Sequence, residues 1–329
     1  MVPRLNRRAF LSRVVAATAA LPWLVRTALA RAVQFRGIFA IMQTPFDASD
    51  QIDWEDLERE VDFCIRAGAH GIVWPQLAGE FYLLTEEERL RGAEVILRKA
   101  SGRQSAVVIG VQAPIKELAV KFARHAAEKG ADAVIALPPF LGGVSTEAAG
   151  DYYRALARSV SVPIFIQNSG GSWGPGLPTT FVIQLAKESP QLSFIKEEVE
   201  PVSRRISEYA SSGIMKGIFS GSSGRNLLDE LAHGASGTMP ASEFVDVAVQ
   251  IYNLAATEKS EAARALFQKL LPMTNMESIY GLSFMKTILV RRGVFKTAKL
   301  RGASGTSLDA VDMQELEAWW KQLSPHFKV

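Results

Sequence analysis

Eight short apolar runs, each followed by a helix-like stretch, constrain this chain more than any other feature. The spacing predicts strands at Gly37–Phe46, Gly71–Pro75, Ala106–Val111, Ala133–Pro138, Pro163–Asn168, Leu192–Glu198, Met215–Gly221 and Gly234–Met239. Amphipathic stretches separate them at Trp54–Ala67, Glu86–Ala100, Ile115–Lys129, Thr146–Ser159, Thr179–Glu188, Val202–Ser211 and Gly224–Ala232. Parallel strands need a crossover helix between them, and eight such units close on themselves. The expected fold is therefore α/β, a (β/α)8 TIM barrel over residues 31–242. Cap chemistry supports the boundaries: Thr85 precedes three glutamates, and Pro201 suits a first helical turn. Further helical patterns at Phe244–Thr257, Glu261–Leu271, Ser278–Arg292 and Asp309–Gln322 predict a C-terminal helical extension over 243–329, packed on the barrel or on a second copy.

The first thirty residues read as a leader. Arg7-Arg8-Ala9-Phe10-Leu11 precedes an apolar, alanine-rich stretch from Val14 to Val25, and Ala28-Leu29-Ala30 supplies small residues for cleavage. The paired arginines predict a twin-arginine export signal, hence export in the folded state and a periplasmic protein. An uncleaved, membrane-anchoring leader is the alternative. Of the 37 lysines and arginines, five (Arg4, Arg7, Arg8, Arg13, Arg26) lie in this segment, leaving 32 against 34 acidic residues, a net of −2. The basic balance belongs to the leader, and nothing remains to suggest nucleic acid as a partner. The lone Cys64 excludes an intrachain disulfide and sits in a helical pattern as a packed core thiol.

Barrels of this kind carry their reactive groups at the C-terminal ends of the strands. Glu80, Gln167, Asn168, Lys196, Glu198, Ser220 and Ser222 fall there. Lys196 is the most informative. Phe194 and Ile195 precede it, and an ammonium beside apolar neighbours at a strand end loses hydration, which frees an amine to attack a carbonyl. Residues two apart share a face, so Phe194, Lys196 and Glu198 point one way while Ile195 and Glu197 point the other. Glu198 then either faces the barrel mouth beside Lys196 or sits on the rim, paired with Arg204 or Arg205. The four histidines (His70, His125, His233, His326) lack ligand spacing, and the Gly142-Gly143 and Gly170-Gly171 pairs lack a following Lys-Ser/Thr. No metal or other cofactor is expected. Trp74 and Trp173 fall near the mouth, Trp74 favoured as core packing and Trp173 as a pocket wall.

With these residues in place, the chain resembles the class I aldolase family of dihydrodipicolinate synthase and N-acetylneuraminate lyase, from Gly37 to the last helix. Gly37–Phe46 is similar to the family's first strand, and Gly79-Glu80 to the end of its Gly-Thr-Thr-Gly-Glu turn. Pro138-Pro139-Phe140 resembles its Pro-Pro-Tyr segment, and Pro163–Asn168 its fifth strand. Phe194-Ile195-Lys196-Glu197 resembles the Schiff-base strand, and Phe219-Ser220-Gly221 the seventh. The resemblance implies that Lys196 forms an imine with a 2-oxo acid and that the protein is a homo-oligomer.

The departures carry as much information. Gln167 occupies the place of the family's acid/base tyrosine, Leu77 and Ala78 that of the hydroxyl residues of its second turn, and Leu141 that of the relay tyrosine. The carboxylate-binding arginine aligns near Ser172. Retro-aldol cleavage needs a base for the C4 hydroxyl proton, and an amide cannot titrate to supply one. Dehydration needs a base for the C3 proton and an acid for the leaving hydroxyl, which a carboxylate with a water could provide. The expected activity is therefore a Schiff-base lyase with Lys196, Glu198 and Gln167 as catalytic residues, preferably dehydrating a 2-oxo-3-deoxy sugar acid. Gln167 and Asn168 would orient hydroxyls, and the Ala78-Gly79 backbone would hold the carboxylate. Glu80, Ser220 and Gly221 complete the expected substrate contacts. Carbon–carbon cleavage is the alternative chemistry, and a non-catalytic keto-acid-binding barrel the alternative class.

Overall fold

Each apolar run pairs with the next in chain order, and the last returns to the first. In the computed structural model the strands are β1 (Gly37–Ile41), β2 (Gly71–Trp74), β3 (Ala106–Gly110), β4 (Ala133–Ala136), β5 (Ile164–Asn168), β6 (Phe194–Glu197), β7 (Gly217–Ser220) and β8 (Gly237–Thr238). All pairs are parallel, and β1 closes onto β8 through Gly37↔Gly237 and Ile38↔Thr238. The described residues are 33–257, 259–302 and 306–329, so the expected leader over residues 1–30 lies outside them.

Seven helices connect the strands: α1 (Trp54–Arg66), α2 (Glu86–Ala100), α3 (Lys116–Glu128), α4 (Thr146–Ser159), α5 (Thr179–Glu188), α6 (Val202–Ser212) and α7 (Leu227–Ala232). Their starts follow local chemistry. Asp53 accepts from the Glu55 and Asp56 N–H groups at α1, and Thr85 and Glu88 form a reciprocal capping box at α2. Each helix buries one apolar face on the outward face of the strands. Ile72, Val107, Val134, Ile166, Ile195 and Ile218 meet the helices in one continuous core.

The other strand face fills the lumen. Phe39, Phe165, Phe194 and Phe219 come from β1, β5, β6 and β7, yet their rings touch: Phe39 and Phe219 are 4.9 Å apart, Phe165 and Phe194 5.2 Å, Phe165 and Phe219 5.5 Å. Rings from non-adjacent strands meet only inside a barrel. Phe35 plugs the same layer, 5.2 Å from Phe194. This aromatic floor lies one side-chain layer beneath Gln167 and Lys196, which are register partners on β5 and β6.

Four helices follow the barrel: α8 (Val245–Ala256), α9 (Ser260–Tyr280), α10 (Leu282–Arg291) and α11 (Ala310–Leu323). Helix α9 departs from the expected stop at Leu271 and runs through Pro272 to Gly281, whose φ is +54°. A proline removes one backbone bond, but the buried face of Leu266, Leu270, Met273 and Met276 holds both halves in line. Helix α10 docks on the open end of the barrel. Its fully buried Lys286 pairs with the Glu80 carboxylate, donates to the Lys299 carbonyl at 2.9 Å and lies 4.5 Å over the Phe46 ring. Arg292 clamps Asp246 of α8 with bonds of 2.9 and 2.7 Å. Barrel and C-terminal helices belong to one compact unit, Phe35–Val329. Among the described residues no helix is long and apolar enough to cross a membrane.

Candidate active site

The C-terminal ends of the strands surround a cavity of about 350 Å³ whose wall includes Lys196 and Glu198. Lys196 rises from the Phe194 layer and is only 5% exposed. Its Nζ lies 3.1 Å from Glu198 Oε1, so both side chains share the lumen face. Glu197, between them, turns to the helical layer, where it meets Arg205 at 3.1 Å, the Tyr209 hydroxyl at 2.7 Å and the Asn168 amide at 3.0 Å. Of the two placements open to Glu198, the structure has the one beside Lys196; Arg205 pairs with Glu197 instead.

The second Glu198 oxygen is equally occupied. Ser169 Oγ donates to Oε2 at 2.5 Å and Gln167 Nε2 at 2.8 Å. A carboxylate only accepts, so the Gln167 amide must present its NH2 there, which turns Oε1 elsewhere. That Oε1 is buried and has no partner among the described residues. Burial alone would push the Glu198 carboxyl up, but the Lys196 charge and the Ser169 and Gln167 donors hold it below the usual carboxylate range. A close backbone approach completes the arrangement: a Cβ at Gly221 would lie 2.0 Å from Glu198 Oε1, so glycine there lets the carboxylate keep this position.

The other expected residues divide. Ala78 lines the cavity with Gln76 and Leu77, whereas the Gly79 N–H is already donated to the Gln76 carbonyl at 2.9 Å. Asn168 lies on the outward face of β5: its amide bridges Glu197 and the Leu177 carbonyl at 3.0 Å, and its Oδ1 accepts from the Leu177 N–H at 2.8 Å. It does not meet Lys196. Ser220 is also outward, donating to Glu230 and lying 2.9 Å from Thr238 Oγ1; burial pushes Glu230 up to about 7. Glu80 turns away from the cavity to Lys286 and the Arg301 N–H, its carboxyl raised by burial against the pull of Lys286.

Trp173 walls the cavity beside Tyr82, the rings 5.4 Å apart, with Phe81 and Phe140 behind it at 5.7 and 5.8 Å. Trp74 is core, its indole N–H donating to Thr44 Oγ1 at 3.0 Å. Three features of the site escaped the sequence reasoning. Ser169, the donor to Glu198, follows the fifth strand directly and stands behind the cavity wall. Ser223 adjoins the expected Ser222. Glu277, with Gly281, Leu282 and Met285, comes from the C-terminal helices. The last had a signal: Leu266, Leu270, Met273 and Glu277 repeat at helical spacing, which sets a carboxylate on an apolar face.

The arrangement combines a buried amine, an ionised carboxylate in contact with it, an adjoining amide whose buried Oε1 has no partner among the described residues, and a wall of mixed aromatic and polar groups. The chain is 27% identical over 272 residues to the L-2-keto-3-deoxyarabonate dehydratase of Azospirillum brasilense, covering 81% of this chain and 87% of that protein. It is 29% identical over 253 residues to an Escherichia coli (strain K12) protein named as a probable 2-dehydro-3-deoxy-D-pentonate aldolase, covering 76% and 83%. Its fold matches the crystal structure of dihydrodipicolinate synthase from Rhodopseudomonas palustris with a TM-score of 0.79 and 26% identity, covering 88% of this chain and 97% of that one. The family described as the dihydrodipicolinate synthetase family matches over residues 34–322, nearly the whole described chain. On that match and this barrel, the chain belongs to the dihydrodipicolinate synthetase family, a family of lyases and aldolases.

Proposed function

We propose that this lyase forms an imine between Lys196 and the ketone of a 2-oxo acid, and removes water from a 2-oxo-3-deoxy sugar acid held there. The observation that carries the reading is the Lys196–Glu198 contact of 3.1 Å inside a cavity whose neighbouring strand offers Gln167 where a tyrosine would serve aldol cleavage. The likeness to a named keto-deoxy acid dehydratase supports the same choice.

The chemistry follows from the contacts. The amine attacks C2 and water leaves, giving a protonated imine that acidifies C3–H. Glu198 is the base within reach. Its ionised state depends on the Lys196 charge, as well as on Ser169 and Gln167. When C3–H breaks, its electrons form the C2–C3 double bond and neutralise the nitrogen. The charge that held the carboxylate ionised is then gone, and burial favours the proton it has just received. The free Gln167 Oε1 accepts from a substrate hydroxyl. Backbone at Leu77-Ala78 faces the cavity as the site for the acid's carboxylate. Hydrolysis of the product imine returns the lysine.

Carbon–carbon cleavage is the second reading, favoured by one observation: the Ser169 hydroxyl, 2.5 Å from Glu198, could pass a C4 hydroxyl proton to it. Product analysis on a 2-oxo-3-deoxy pentonate separates the two. Dehydration yields an oxo acid with the carbon chain intact; release of pyruvate and an aldehyde would replace this reading with the second. The reading extends to a homo-oligomer, as the family resemblance implies. It also extends to export of the folded protein by the twin-arginine machinery, on the strength of Arg7-Arg8 and the lone Cys64. Retention of the protein in the cytoplasm of a strain lacking that machinery, against a periplasmic protein in its parent, is the test of export.

A further inference from the structure

Two glutamates meet outside the site expected from sequence. Glu277 of α9 lines the cavity with Lys196 and Glu198 and is 5% exposed; Glu243, between β8 and α8, is 1% exposed. Their carboxyl groups are close neighbours, and each acts on the other's ionisation. Neither oxygen of Glu243 receives an N–H or O–H from any other described group, while the Ser223 hydroxyl donates to Glu277 Oε1. Two carboxylates cannot both be ionised in contact and out of water, so the pair retains a proton between them. Burial raises both carboxyls above the usual range, and the Glu277 charge pushes Glu243 further. The other charged or polar groups facing them are Ser223 and Arg225 at Glu277, Glu60 at Glu243, and Lys196 and Glu198 on the same cavity wall.

Dehydration needs a proton donor at the leaving oxygen, and Glu198 is poorly suited: it is held ionised by three donors and is committed to the C3 proton. A pair of carboxyl sites pushed to opposite sides of the ordinary range assigns base and acid. Building on the dehydratase reading above, we propose that Glu277, backed by Glu243 as its positioning partner, is the general acid that protonates the departing C4 hydroxyl. In this step the enamine electrons move to form C3=C4 and restore the protonated imine, the C4–O bond breaks, and the Glu277 proton leaves with the oxygen as water. Glu198 keeps the C3 proton until the imine is hydrolysed, and the glutamate pair recovers its own from solvent. The acid is supplied by the C-terminal helices, not by a barrel strand.

The experiment compares two reactions of the same site. Exchange of the C3 hydrogens of pyruvate in D2O, followed by proton NMR, needs the imine and Glu198 only. Dehydration of a 2-oxo-3-deoxy pentonate needs the acid as well. For Glu277→Gln the expectation is dehydration slowed by about 10²–10⁴-fold with exchange within a few-fold of wild type. Equal dehydration by Glu277→Gln and wild type would overturn the assignment and leave the dehydratase reading standing. Wild type that exchanges C3 but never loses water would overturn both. A readout on wild type alone removes dependence on the variant's folding: the dehydration rate must fall as pH rises through the pair's titration, a limb absent from exchange and displaced in Glu243→Gln. A dehydration profile without that limb overturns the assignment.

Discussion

Lys196 Nζ and Glu198 Oε1 lie 3.1 Å apart on one face of β6, while Glu197 between them is turned outward to Arg205. Strand alternation alone creates this separation of roles. Glu198 is left on the cavity wall, while Glu197 anchors α6 to the barrel through Arg205 and Tyr209. In the proposed mechanism, the ionisation of Glu198 leans on the Lys196 charge that imine chemistry would later remove.

Glu198→Gln keeps the size and one acceptor of the side chain but cannot take a proton. Turnover is expected to fall by about 10²–10⁴-fold, with the lysine still reacting with pyruvate. Steady-state rates alongside reductive trapping check both halves. Loss of trapping together with turnover would mean that Glu198 acts chiefly by holding Lys196.

Gly221→Ala tests the close approach behind that carboxylate. A Cβ 2.0 Å from Glu198 Oε1 forces the carboxylate to move. The expected result is a turnover loss of more than about tenfold, since misplacement of roughly 1 Å is costly, with little change in melting temperature.

Lys286 and Glu80 tie α10 to the β2–α2 segment, and both side chains are fully buried. Lys286→Met leaves the Glu80 carboxyl without its cation and should cost about 3–5 kcal/mol in chemical denaturation. The double variant Lys286→Met/Glu80→Leu should recover most of that loss, because the cost lies in the orphaned charge rather than in the absent pair.

Glu60 makes stability depend on pH. It accepts from the Gln43 N–H at 2.9 Å and the Ser242 hydroxyl at 2.7 Å, and burial pushes its carboxyl from an ordinary 4.5 up to about 8. The folded protein therefore keeps a proton that the unfolded chain has released, so stability declines as pH rises from 4.5 to about 8. Glu60→Gln removes this share of the decline. By calorimetry it should melt about 2–5 °C above wild type at pH 8, with the gap closing toward pH 5.

The barrel was legible because each strand and helix carries its own period. The limits of legibility are as instructive. Applied to β6, alternation separates Glu197 from Glu198; applied equally to β5 and β7, it would have put Asn168 and Ser220 on the outward face, opposite Phe165, Gln167 and Phe219. Glu80 sits in a turn, where no period indicates a direction, and its partner Lys286 is 206 residues away. The Glu243–Glu277 pair joins two segments with no shared local pattern, and only the fold brings it to the cavity. Pro272 misled for a different reason: the packed face of α9 outweighs the loss of one backbone bond.

Reduction of the protein with borohydride in the presence of pyruvate, followed by peptide mass mapping, tests the central claim most directly. Covalent addition of pyruvate as its reduced secondary amine on Lys196, absent from Lys196→Ala, is the predicted result. An unmodified Lys196 under conditions where the wild-type enzyme turns over its substrate would contradict the account.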